Sequence, residues 1–216
     1  MFTCILRARK ARMSRLEPLV YLWLDTEYSE LDPDRAVLLQ VAALATDRHL
    51  KRLHPAREDL NLVVRHRTVK VSPWVRKNLP ELCERCESPE AVSTAVVERR
   101  LLDLIGKVTV RYAHPERIRP VLAGNSIHAD AALLRRFCPR VYARLHYRRM
   151  DVTSFKLVWR NWFGGPEFDK ENPAVVRAHL PFRAGLGERH QHDAHYDIQA
   201  SIAELNFYLA RLKRCP

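Results

Sequence analysis

Val20-Tyr21-Leu22-Trp23-Leu24-Asp25-Thr26-Glu27 decides how the rest of the chain is read. It begins as a short unbroken apolar run, the pattern of a buried strand. Asp25 and Glu27 follow directly on it. Side chains alternate faces along a strand, so positions i and i+2 point the same way. Both carboxylates therefore face one side, at the carboxyl end of a buried strand. Acids held that close repel each other, and a cation between them makes the arrangement tolerable. Oxygen ligands of this kind suit Mg²⁺ or Mn²⁺. A D-x-E pair alone is a weak signal, since most such pairs are solvated surface acids.

Working outward, Asp32-Pro33 marks a turn, and the apolar stretch from Ala36 to Thr46 reads as a second strand. Leu60 to Val64 reads as a third. Ser88-Pro89 has the form of an N-cap followed by proline at the first helical position. Val92, Val96, Leu101, Leu104 and Ile105 then share one helical face. Val121 to Gly124 is a short strand ending in a turn, Ala129 to Phe137 a helix stopped by Pro139, and Asp151 to Trp162 another helix. Residues 163 to 191 read as a long loop, a length usually associated with function or mobility. A final helix from Asp193 to Lys213 carries the stripe Ile198, Ile202, Leu205, Leu209 and Leu212. This order predicts an α/β or α+β domain with one central sheet.

The length of 216 residues fits one domain with room for large loops. Residues 1–17 form a basic N-terminal tail, expected to be disordered or a targeting segment, and 18–216 the domain proper. No apolar run is long enough to span a membrane. Lys and Arg number 37 against 25 Asp and Glu, a net charge of +12 that suits a polyanionic partner such as nucleic acid. The 5 cysteines are scattered, which fits free thiols in a reducing cytoplasm. Cys83-x-x-Cys86 is half of a zinc motif and has no second pair at the expected spacing.

Asp130 falls in the first turn of its helix, where an acid also favours the helix dipole. Asp197 sits at the edge of the last helix's apolar stripe, and His192 precedes it by little more than one turn. His190 and His195 read as solvent-facing. Asp25, Glu27, Asp130, Asp197 and His192 together offer hard ligands and one base that titrates near neutrality. Such a set suits two-metal phosphoryl hydrolysis.

The order D-x-E, then D, then H-x-x-x-x-D resembles the DEDDh class of 3′-to-5′ exonucleases, and the wording around each motif is similar to the oligoribonuclease family. The segments that carry it are Trp23 to Pro33, Leu122 to Asp130 with its continuation His146-Tyr147-Arg148 and Asp151-Val152-Thr153, and His192 to Leu205. The match runs over residues 18 to 210. The resemblance implies a ribonuclease H-like three-layer fold, a central mixed β-sheet flanked by α-helices. It implies a cytoplasmic homodimer that degrades short RNA, dinucleotides included, to 5′-nucleoside monophosphates. Asp25, Glu27, Asp130 and Asp197 would hold two divalent ions, Mg²⁺ or Mn²⁺, with His192 as general base. Leu31 would wedge between substrate bases and Trp74 line the base pocket. Ser126, Arg148 and Thr153 would cap the 5′ phosphate, and Tyr147 would reach in from the second subunit.

The chain departs from the family pattern in places. Glu30 stands where glycine is usual, Gln40 where glutamate is, and Leu79-Pro80 where a His-Gly step is expected. These departures, with the net charge, keep open an exonuclease acting on longer RNA or single-stranded DNA. A binding module without catalysis is the third reading, and it would not cleave phosphodiesters in a divalent-ion-dependent way.

Overall fold

Alternating burial faces along a single strand organise the molecule. The computed structural model describes residues 20–32, 34–66, 70–182 and 193–212. The expected tail and His192 lie outside these residues. Strand β1 (Val20–Tyr28) runs farther than the apolar run predicts, so Asp25 and Glu27 belong to the strand itself. β2 (Leu38–Asp47) and β3 (Leu60–Val63) add antiparallel on one side. β4 (Val121–Gly124) and β5 (Arg149–Asp151) add parallel on the other. The five-stranded mixed sheet has the order β3-β2-β1-β4-β5.

The helices are α1 (Pro73–Asn78), α2 (Pro80–Glu87), α3 (Thr94–Thr109), α4 (His128–Phe137), α5 (Pro139–Arg144), α6 (Val152–Val158), α7 (Pro173–His179) and α8 (Ala194–Leu212). On one face of the sheet Val20, Leu22 and Leu24 pack with Leu101 and Ile105 of α3 and Leu133 and Leu134 of α4. On the other, Tyr21 and Trp23 pack with Ile198, Ile202 and Leu205 of α8. Each such side chain, fully buried, contributes about 1.5–3 kcal/mol. The result is an α/β three-layer arrangement of the ribonuclease H-like kind. Among the described residues, no helix is long and apolar enough to cross a membrane.

Several expectations need correction. Ser88 ends α2 rather than starting a helix; the cap of α3 is Ser93, whose side chain accepts from the Val96 amide. Val92 is drawn into an isolated parallel bridge with Val64, which keeps it out of the helix that follows. Asp151 is the last residue of β5 and caps α6 by accepting from the Thr153 amide. The helix expected to reach Trp162 passes at Trp159–Phe163 into a wide π-type turn, ended by Gly164 at φ 62°. The segment read as a loop contains α7, capped by Asn172 with Pro173 behind it. Cys83 and Cys86 are free thiols on α2.

Candidate active site

The alternation that builds the two cores also sorts the acids. Asp25 and Glu27 continue the Tyr21–Trp23 face of β1, the face covered by α8. Asp197, in the first turn of α8, comes down onto them. One carboxylate oxygen from each of Asp25, Glu27 and Asp197 lies within 4.8 Å of the others. Asp130 arrives from the opposite layer on α4. Its buried carboxylate accepts a hydrogen bond from Thr26 Oγ1 at 2.7 Å, Thr26 being the residue between the paired acids.

Crowding of like charge is visible in the proton affinities. Burial first, then the charges of Asp130, Asp197 and Glu27, pushes the Asp25 carboxyl well above the usual range. Burial, then Asp197, Asp130 and Asp193, pushes Glu27 up to about 8. Burial pushes Asp130 up to about 6, with the Thr26 hydrogen bond pulling the other way. Hard oxygen donors that gather this closely and hold protons this tightly fit a divalent cation. Gln40, opposite Glu27 in the β1–β2 register, adds no further charge; its amide donates to Asn61 Oδ1 at 2.6 Å. Glu30 is paired with Arg35 at 3.7 Å.

The acids open into a cavity of about 910 Å³. Leu31 and Trp74 stand on its wall with 88% and 52% of their surface exposed, a large apolar exposure for residues of a cavity. Trp74 is positioned by α1, whose cap Ser72 accepts from the Val75 amide while its own amide donates to Ser29 O. Leu79-Pro80 forms the junction between α1 and α2.

Ser126 also lines the cavity and adopts φ 49°, a left-handed conformation uncommon for a residue with a side chain. Its amide donates to both Asp151 Oδ1 (3.1 Å) and Thr153 Oγ1 (3.0 Å), which holds it there. Thr153 thus sits one bond behind the wall. Tyr147 and Arg148 lie away from it on the surface. There Tyr147 stacks on His146, and the Arg148 guanidinium is 5.1 Å from the Tyr147 ring centroid.

Sequence reading missed the side chain that ties these pieces together. The Asn125 amide donates to Ser201 Oγ (3.0 Å) and Glu204 Oε2 (3.2 Å), and its oxygen accepts from Thr153 Oγ1 (3.2 Å). Ser201 in turn donates to the Asp197 carbonyl at 2.9 Å. The segments Ala123-Gly124-Asn125-Ser126 and Asp197 to Leu205 are thereby one hydrogen-bonded knot between the end of β4 and α8. His195, expected at the surface, instead pairs with Asp59 Oδ2 at 2.8 Å. Asp59 also binds the Arg52 guanidinium, which lies 4.3 Å from the Phe182 ring centroid. Lys170 is a further wall residue with no motif to announce it.

Comparison with known proteins bears on the family and the fold. The sequence pattern of the exonuclease family (RNase T type) matches residues 22–205. The oligoribonuclease of Alkalilimnicola ehrlichii is 32% identical over 200 residues, covering 90% of this chain and 90% of that protein. The oligoribonuclease of Francisella tularensis subsp. novicida is 29% identical over 202 residues, covering 88% and 94%. Among solved structures, exonuclease I of Methylocaldum szegediense superposes with a TM-score of 0.63 at 19% identity over 91% of this chain. E. coli exonuclease I in complex with an oligonucleotide gives 0.62 at 16% over 92%. This chain spans 41% and 42% of those two longer chains, and the likeness speaks for the fold alone. The chain belongs to the exonuclease family, and its kinship within that family is with the oligoribonucleases.

Proposed function

We propose that this 3′-to-5′ exoribonuclease hydrolyses short oligoribonucleotides, dinucleotides foremost, to 5′-nucleoside monophosphates. The observation that carries the reading is the triad Asp25, Glu27 and Asp197 at the base of a cavity whose wall presents Leu31 and Trp74. Its volume of about 910 Å³ falls within the range of small-ligand sites, about 300–1,000 Å³, which favours a short substrate over a long strand.

Asp25, Glu27 and Asp197, with Asp130 beside them, are the residues that would hold two divalent ions, Mg²⁺ or Mn²⁺. Such ions supply charge stabilisation at the phosphoryl oxygens and a hydroxide nucleophile at neutral pH. The chain's own residues do the rest. Leu31 inserts between the two bases and Trp74 offers a ring for stacking, an interaction worth about 1–3 kcal/mol per base. Ser126 on the wall and Thr153 one bond behind it form the end that receives the 5′ phosphate, and the Arg148 guanidinium swings in from the surface outside the cavity to complete the charge-assisted contact. His192 takes the proton from water. Tyr147, with 78% of its surface exposed, acts across a homodimer. The free thiols Cys83, Cys86 and Cys138 support a reducing, cytoplasmic setting.

A second reading, processing of longer RNA or single-stranded DNA, is favoured by one feature. Along α4 lies a second cavity of about 560 Å³, lined by Arg135, Arg136, Arg149 and His128 with Asp34 as an acid among them, so that positive charge prevails. That charge suits the phosphates of a strand running past the active site. A length series decides between them: 5′-labelled RNAs from two to about ten nucleotides, with matched DNA, compared by kcat/KM in Mg²⁺ and Mn²⁺. A steep preference for the dinucleotide supports the first reading, and a flat or rising profile supports the second. No divalent-ion-dependent cleavage of any substrate would sink both.

A further inference from the structure

The cavity read as the hydrolytic site is acidic, as carboxylates that hold divalent ions make it. Asp25, Glu27, Glu30, Asp32, Asp130 and Asp197 line it, and among the described residues Lys170 is the only lysine or arginine that does. Lys170 comes from the segment between the π-type turn and α7, outside the three stretches that carry the family resemblance.

That segment is built into the fold. Trp159 Nε1 donates to the Pro166 carbonyl at 3.1 Å. Arg160 pairs with both carboxylate oxygens of Glu167 at 2.6 and 2.7 Å. Phe168 is buried edge-on against Phe207, with ring centroids 5.5 Å apart. The Tyr196 hydroxyl then donates to the carbonyl of Lys170 itself at 2.9 Å. Tyr196 is the neighbour of Asp197 on α8, so the backbone bearing the lysine is tied to the helix that bears an acid of the triad.

We propose that Lys170 is a substrate-contacting residue, its ammonium meeting the anionic oxygens of the phosphodiester drawn between β1 and α8. This rests on the reading of the cavity as the hydrolytic site. An ammonium on a flexible stem is a mobile point charge. Before substrate arrives it is an exposed positive charge on the wall of an acidic cavity, where it opposes the entry of a cation; once a phosphate is present it meets the phosphate. Removing the charge therefore has opposite effects on the two ligands: substrate binds less well, and metal binds better.

The test uses the full chain with Lys170→Met and Lys170→Arg. Steady-state kinetics are measured on a 5′-phosphorylated diribonucleotide, and Mn²⁺ affinity of the nucleotide-free protein by calorimetry. Lys170→Met is expected to lower kcat/KM about tenfold, chiefly through KM, as loss of one charge-assisted contact does. The same variant is expected to bind Mn²⁺ at least as tightly as wild type, and Lys170→Arg to recover most of kcat/KM. An unchanged kcat/KM in Lys170→Met, weaker Mn²⁺ binding alongside lost activity, or no recovery by Lys170→Arg would each overturn the proposal. Asp25→Asn separates the two levels of inference. If it kept wild-type rates, the site itself would be misplaced; if it were inactive and Lys170→Met unaffected, the lysine proposal alone would fall.

Discussion

Thr26 Oγ1 donates to Asp130 Oδ1 at 2.7 Å, across the boundary between the β1 strand and the α4 layer. Thr26 points away from its neighbours Asp25 and Glu27 because a strand alternates, and that is why it meets the acid of the other layer. The bond holds Asp130 beside the triad and favours its ionised form against burial, which has raised it to about 6. Thr26→Val removes one donor from a buried carboxylate that keeps only its backbone bonds from Thr26 and Asp130, at a cost of about 1–3 kcal/mol in stability. Asp130 then titrates higher, so the acid limb of the kcat/KM profile should move to higher pH, while Thr26→Ser keeps both near wild type. Urea unfolding and a pH–rate series check this. An acid limb unmoved in Thr26→Val would show that Asp130 does not govern it.

The raised carboxyls make a prediction about metal and pH together. Glu27 titrates near 8 in the fold against 4.5 when unperturbed, and Asp25 is raised as well. In that window the folded protein holds protons that the unfolded chain has released, so stability falls as pH rises toward 8. Divalent ions relieve the repulsion that opposes ionisation. In EDTA the melting temperature should drop between pH 6 and pH 8, and Mn²⁺ should raise it more at pH 8 than at pH 6. At a hundredfold excess over Kd the gain is about 2.7 kcal/mol, or roughly 5–10 °C for a chain of this size. Thermal scans at both pH values, with and without Mn²⁺, measure it. An Mn²⁺ shift no larger at pH 8 would contradict the acids' role.

Much of this was readable in the residues, for definite reasons. Period-two alternation put Asp25 and Glu27 on one face, and the helical stripe of α8 put Asp197 at its edge; their carboxylate oxygens do converge. Alternation could not say which layer α4 occupies, so the expected fourth ligand, Asp130, was not foreseen behind Thr26. Serine-proline punctuation misled at Ser88, because Ser93 offers an equally good cap and only the long-range Val64–Val92 bridge chooses between them. β5 spans Arg149–Asp151 and is too short to show a period. Lys170 was invisible for a related reason: no local pattern tells where a long segment folds back.

Two glycines should respond to alanine with opposite signs. A Cβ on Gly124 would lie 2.8 Å from the Leu24 carbonyl oxygen and 3.0 Å from Ile127 Cδ1, so backbone must move. Such overpacking costs about 1–3 kcal/mol. The strain falls between β1 and the Asn125 knot, so activity should drop as well. Gly106, inside α3, has nothing within 4 Å of the same position. There alanine gains about 0.5–1 kcal/mol from reduced backbone freedom in the unfolded chain. Denaturation midpoints of Gly124→Ala and Gly106→Ala should straddle wild type; midpoints shifted the same way would refute the packing argument.

Asp25→Asn should separate function from stability most sharply. The acid lies at the centre of the like-charge cluster, where burial and then Asp130, Asp197 and Glu27 disfavour its ionisation. An amide of the same shape removes one of the mutually repelling charges. In EDTA at pH 8 the variant should therefore melt higher than wild type, against the usual sign for a substitution at a half-buried position. Its turnover should be lost beyond the roughly 10–100-fold that follows removal of an outer metal-site partner, and the stabilisation by Mn²⁺ should shrink with it. His192→Ala, which removes the proposed base and no ligand, should lose turnover while keeping the Mn²⁺ shift. The pair thus assigns metal holding to one residue and proton transfer to the other. Retention of wild-type turnover in His192→Ala, or a full Mn²⁺ shift in Asp25→Asn, would show that assignment to be wrong.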